Sequence, residues 1–253
     1  MKTLAICQRK GGTAKSTTAL SLGAALALFH KKRVLFVDLD AQGDLSDGLG
    51  AISGKAGVFE CLTGSATAKE ALQELEVLPK SAIIPASRQL SGADSIITQT
   101  GKEYRLKEAL DTIAGDFDFC IIDTAPGLGI LTINALTAAN SVIIPCLADL
   151  WSIKATNEML TTLDIVKKYT NHGLQIEGFL ITRYPQRQVL AKTAAEKLEA
   201  GAKERGTRLF KTRIRETVAI REAVASGSHI FNYSPDSTAA KDYKQLAKEI
   251  LGK

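Results

Sequence analysis

Short apolar runs that end in small or acidic residues alternate with longer stretches of helical period along most of this chain. Residues 4–8 read as a first strand, followed by a Gly-rich turn and a helix running to about residue 30. Residues 33–38, RVLFVD, form an unbroken apolar run, which suits a strand buried on both faces of a parallel sheet. Further strands are expected at 81–85, 118–123, 141–145 and 174–182, with helices near 103–114, 130–139, 152–169 and 187–205. This alternation predicts an α/β protein, a doubly wound and mostly parallel sheet flanked by helices. No repeat or Pro/Gly-rich linker divides the chain, so a single domain over 1–253 is expected. Only residues 44–100 resist placement beyond short helices and loops.

The final segment, 238–251, puts Ala239, Ala240, Tyr243, Leu246, Ala247, Ile250 and Leu251 on one helical face. Such a face suits either a membrane-targeting helix or a terminal helix docked on the sheet. The polar side carries both signs and no bulky aromatic lies near the end, so docking is the expectation.

Composition narrows the class. With 253 residues, 45% of them hydrophobic, the chain buries a core without disulfides or structural metal. Cys7, Cys61, Cys120 and Cys146 are scattered, with no CxxC pair and no histidine at ligand spacing, as expected of structural thiols in a reducing compartment. No apolar run approaches the ~20 residues that span a bilayer, and the N-terminal apolar stretch is too short for a signal peptide. A cytoplasmic protein is expected. Its formal charge of +5 is unevenly spread: residues 183–221 hold eleven Lys/Arg against four Asp/Glu, leaving the remainder slightly acidic. Positive charge gathered in one segment suggests an anionic partner such as nucleic acid.

The chemistry concentrates in three motifs. Lys10-Gly11-Gly12-Thr13-Ala14-Lys15-Ser16-Thr17 follows a strand and opens a helix, where backbone N–H groups and about half a positive charge of helix dipole favour a phosphate. Lys15 is placed to reach the β- and γ-phosphates, and the Ser16 hydroxyl to coordinate Mg2+. The loop departs from the usual phosphate-loop pattern, with Arg9 and Ala14 at positions normally glycine. Asp38 and Asp40 end the second strand, on one side of an extended backbone and at the carboxyl end of the sheet. Asp123 ends a third apolar run, FCIID, as a Walker B carboxylate does.

The phosphate loop, K-G-G-x-x-K-S with a leading lysine, resembles the deviant Walker A family that includes ParA, MinD, the arsenite-pump ATPase and nitrogenase iron protein. The segments at 38–44, 123–127, 134–140 and 217–243 resemble ParA in particular, in its short form without an N-terminal helix-turn-helix domain. That resemblance implies an ATPase with ATP and Mg2+ as cofactors. It makes Lys10 the residue that reaches the partner subunit's nucleotide, Lys15 and Asp40 the hydrolytic residues, and Ser16, Asp38 and Asp123 the magnesium group. It puts Arg183 and the turn at Pro235 and Asp236 on the adenine side. Further implications are an ATP-bound homodimer, nonspecific DNA binding on the nucleoid, and a ParB-like centromere-binding partner that stimulates slow hydrolysis in plasmid or chromosome partition. Arg187, Lys192, Lys211, Arg213, Arg215 and Arg221 are the DNA-binding candidates, since nonspecific affinity rests on phosphate neutralisation. No cysteine pair suits the iron protein's cluster. A MinD-like membrane-cycling regulator and a metabolic ATP-dependent enzyme of the dethiobiotin-synthetase kind are the alternatives; no membrane contact is expected under the ParA reading.

Overall fold

The computed structural model describes residues 1–52, 54–185 and 189–252. Its strands are β1 (Lys2–Ile6), β2 (Val34–Leu39), β3 (Gln73–Glu74), β4 (Ala82–Ile84), β5 (Phe119–Thr124), β6 (Ser141–Leu147) and β7 (Gln175–Thr182). Among the described residues the helices are α1 (Lys15–His30), α2 (Asp44–Gly48), α3 (Val58–Thr63), α4 (Ala68–Ala71), α5 (Ala93–Ile96), α6 (Arg105–Asp111), α7 (Ile130–Ala138), α8 (Leu150–Tyr169), α9 (Val189–Glu204), α10 (Val218–Ala225), α11 (Ile230–Tyr233) and α12 (Thr238–Ile250). One sheet runs in the order β3-β4-β2-β5-β1-β6-β7. All neighbours are parallel except β3, which pairs antiparallel with β4. Parallel neighbours cannot be joined by a tight hairpin, so the chain returns through helices and covers both faces.

Strand alternation divides the core into two. Leu4, Ile6, Val34, Phe36, Phe119 and Ile121 point to the side holding α1 and α12, whereas Ala5, Cys7, Leu35, Val37, Cys120 and Ile122 point to the other. By the same parity Asp38 and Asp123 belong to the α1 side. They face each other across the β2–β5 pairing. α1 lies close on the sheet: a Cβ added at Gly23 would sit 2.2 Å from the Phe36 ring.

The six strands expected from the sequence are present, each end within two residues of its expected place. The two-residue edge strand β3 was not foreseen, and 44–100 resolves into α2 to α5 with turns between. Residues 238–251 form a docked helix, since Ala239, Ala240, Tyr243, Leu246, Ala247 and Ile250 are all buried in the α1-side core. The Tyr243 and Thr18 hydroxyls lie 3.2 Å apart within it. All four cysteines are free and buried. No helix among the described residues is long and apolar enough to cross a membrane.

Candidate active site

Between β1 and α1 the backbone enters the left-handed region twice, at Gly12 (φ 72°) and Ala14 (φ 62°). Such turns curl successive N–H groups around one concavity, and a glycine meets that demand without strain. Ala14 is the N-cap of α1, contributes no capping side chain, and is followed by a first turn without an acid. The first N–H groups of the helix are thereby left for a ligand from outside the helix. Thr13 is fully buried; its hydroxyl donates to the Lys10 carbonyl (3.2 Å), and its own carbonyl accepts from the Thr182 hydroxyl at the end of β7 (3.0 Å). The loop is therefore held from two sides.

A cavity of about 390 Å³ opens over it, within the range of small-molecule sites. Gly11, Gly12, Ala14, Lys15, Ser16 and Thr17 line one wall, Asp40 and Pro126 an edge. The opposite wall is residues 214–217 with Ile220, Arg221, Arg183 and Tyr243.

Beneath the loop sits an unbalanced set of charges. Asp38 and Asp123 are both fully buried. Asp38 accepts hydrogen bonds from the Asp40 amide (3.0 Å), the Ser46 amide (2.9 Å) and the Ser46 hydroxyl (2.7 Å). Burial nevertheless pushes its carboxyl up to about 6, against the pull of those bonds. Asp123 accepts from the Thr124 amide (3.0 Å) through Oδ1, and its Oδ2 is buried with no hydrogen-bond partner among the described residues. Burial and then the adjacent Asp38 drive its carboxyl well above the usual range, with Ser16 and Lys15 opposing. Lys15 is itself shifted down by burial, with Asp123 and Asp40 drawing it back. A buried carboxylate oxygen without a donor costs several kcal/mol unless a cation meets it. The residues thus fit a magnesium ion. No trio of His, Cys, Asp or Glu among the described residues could cage an ion alone, as suits a metal that keeps waters and phosphate oxygens in its shell.

Lys10 stands apart from the cavity lining. Its ammonium pairs with the Asp149 carboxylate (3.0 and 3.2 Å) and the Ser152 hydroxyl (3.3 Å). Asp149 is the N-cap of α8 and also accepts from the Ser152 amide at 2.7 Å. Asp149 thus holds both a helix end and the leading lysine.

A family model described as an AAA domain matches residues 1–176. The sporulation initiation inhibitor protein Soj of Bacillus subtilis is 38% identical over 254 residues, 98% of each chain. The chromosome partitioning protein ParA of Myxococcus xanthus is 33% identical over 98% of this chain and 87% of its own. The chain belongs to the ParA family of P-loop ATPases. Among solved structures, the ATP complex of an McdA variant from Cyanothece has a TM-score of 0.88 at 25% identity, covering 100% of this chain and 96% of that one. A Mycobacterium smegmatis protein named cobyrinic acid a,c-diamide synthase, with bound ATP analogue and magnesium, has a TM-score of 0.84 at 33% identity, covering 99% and 94%.

Within this ParA-family fold the phosphate loop and Asp40 line one cavity, and Asp38 and Asp123 are paired on the neighbouring strands β2 and β5. Arg183 is on the cavity wall, φ 50°, paired with Glu216 at 2.9 Å. Pro235 and Asp236 are exposed in the turn before α12 and do not line the cavity. Of the DNA candidates, Arg187 lies outside the described residues. Lys192 and Lys211 are exposed. Arg213 lies 4.7 Å over the Tyr184 ring and donates to its hydroxyl at 2.8 Å. Arg215 and Arg221 line the nucleotide-sized cavity itself, and Arg215 is clamped by both oxygens of Asp242 (2.6 and 2.9 Å). Two residues that contact the candidate site residues escaped the sequence reading: Asp149 and Ser46. An Asp-x-x-Ser N-cap pattern could have marked Asp149. Nothing local announces Ser46, whose contact with Asp38 depends on how α2 folds back on β2.

Proposed function

We propose that the chain is a partition ATPase switched between DNA-free and DNA-bound states by its nucleotide. One observation carries this reading: the segment 214–221, with Arg215 and Arg221, lines the same cavity as the phosphate loop, so that a nucleotide there acts directly on part of the basic surface. ATP is the substrate, its triphosphate in the N–H cradle of residues 11–17 with Lys15 against the β- and γ-phosphates. Ser16 and Asp123 would hold Mg2+, with Asp38 behind them; when bound, the ion neutralises charge building on the phosphate oxygens. Asp40 orients the attacking water at the cavity edge. Lys10 leaves Asp149 and reaches the nucleotide of a second copy, closing a homodimer. Closure joins two basic surfaces, with Lys192, Lys211, Arg213, Arg215 and Arg221 neutralising DNA phosphates. A ParB-like partner then accelerates hydrolysis and releases the dimer, so the protein alternates between cytoplasm and nucleoid.

DNA co-sedimentation with ATP, with ADP and without nucleotide tests the switch. Binding confined to the ATP state is expected, and equal binding in all three would refute it. A second reading has one observation in its favour. A larger cavity, about 690 Å³, lies against Ala41, Gln42 and Gly43 of the Asp40 loop, room for a second substrate. Together with the name borne by the M. smegmatis structures, this suits a ligase that phosphorylates a small carboxylate. ADP release that requires a small carboxylate and ignores DNA would establish that alternative.

A further inference from the structure

The segment that leads from Asp123 to α7 brings Pro126 to the lining of the phosphate-loop cavity, yet α7 has no side-chain cap of its own. Gly129 is the N-cap of α7 and offers no side chain. Three contacts fix the segment instead. The Thr124 hydroxyl donates to the Ile6 carbonyl at the end of β1 (3.0 Å), and the Thr132 hydroxyl donates back to the Gly127 carbonyl (2.7 Å). The third comes from outside: Oδ1 of Asp94, on α5, accepts the Ile130 amide at 2.7 Å. A Cβ at Gly129 would sit 2.5 and 2.7 Å from the two Asp94 oxygens, so the carboxylate reaches the helix only because that residue is glycine. The side chain therefore supplies in trans the cap that α7 lacks, with the charge sign that a helix N-terminus favours.

We propose that Asp94 is a positioning residue for ATP hydrolysis: by clasping the N-terminus of α7 it holds the 124–129 loop, and with it Pro126 at the cavity edge, in the arrangement that lets Asp40 and Asp123 act. The proposal rests on the ATPase reading above. The same stretch of chain touches the other acidic motif too, because the Ala86 amide donates to the Ser46 hydroxyl (3.0 Å), which in turn donates to Asp38. Residues 86–94 thus bear on both carboxylate motifs without lining the nucleotide cavity. Asp94 is exposed and does not line the nucleotide cavity, so its replacement leaves no buried void and removes no group from the phosphate loop.

Full-length wild type, Asp94→Ala, Asp94→Asn, Gly129→Ala and the Asp94→Ala/Gly129→Ala double variant would be compared for steady-state ATP turnover and for affinity toward a fluorescent ADP. Loss of one cap predicts that Asp94→Ala lowers kcat about fivefold with nucleotide affinity unchanged. Asp94→Asn, which keeps the accepting oxygen, restores most of the rate. Gly129→Ala pushes the carboxylate away and matches Asp94→Ala, and the double variant falls no further than either single one. Wild-type kcat in Asp94→Ala, equal loss in the Asn and Ala variants, or additive losses in the double variant would each overturn the proposal. Absence of ATP turnover by the wild type would instead overturn the proposed function itself.

Discussion

Ala14 stores strain at the point where the phosphate loop becomes α1, and removing it should stabilise the protein. At φ 62° and ψ 40° its Cβ crowds the following carbonyl, a cost of about 1–2 kcal/mol for an L-residue. Replacement by glycine relieves that cost but frees the unfolded chain, which returns about 0.4–1 kcal/mol. The balance is a gain of about 1 kcal/mol, or about 2–4 °C in Tm for a chain of this size. Thermal melts of Ala14→Gly without nucleotide would measure it. Ala14→Val, β-branched at a left-handed position, should shift Tm the opposite way. A lower Tm for the glycine variant, or no difference between glycine and valine, would show that the loop does not hold the left-handed turn and would undo the account of the phosphate cradle.

Other substitutions probe separate parts of the structure. Asp149→Asn keeps the cap of α8 but removes the charge that holds Lys10; since partly exposed pairs contribute about 0.2–1 kcal/mol each and closure breaks one in each subunit, ATP-dependent dimerisation by analytical ultracentrifugation should strengthen about two- to thirtyfold. Weaker dimers would mean that Asp149 serves the dimer rather than competing with it. Gly23→Ala brings a methyl into the Phe36 ring, and overpacking of this kind costs about 1–3 kcal/mol, more than the helix propensity gained; chemical denaturation should show a lower midpoint. His229 is buried, and its Nδ1 accepts the Asn232 amide at 3.1 Å as the cap of α11. Burial holds its pKa below the ordinary 6.5, so the unfolded chain takes up the proton first. Its stabilising contribution is therefore complete above pH 6.5 and declines as pH falls below it. In His229→Asn, which keeps a capping acceptor without titrating, the denaturation midpoint should decline less between pH 7 and 5.5.

The local pattern determined the frame of this protein. Unbroken apolar runs such as 33–38 suit two-sided parallel strands, and Gly11-Gly12 between a strand and a helix suits a tight, phosphate-sized turn. The carboxylates Asp38 and Asp123 were legible because each ends such a run. What the chain order does not contain is which distant groups meet them. Ser46 became the partner of Asp38 because β2 and α2 fold back on one another, and Oδ2 of Asp123 was left without a donor because β5 is buried between β1 and β2. Lys10, expected from the family resemblance to reach a partner subunit's nucleotide, is held here by Asp149 from beyond β6. Arg215 and Arg221, read as DNA-binding candidates, line the nucleotide cavity because the segment after α9 returns over the carboxyl end of the sheet. Periodicity and turn chemistry act over a few residues, so they fix elements and strand-end motifs. Pairings across a hundred residues are fixed by packing, which only the folded chain expresses.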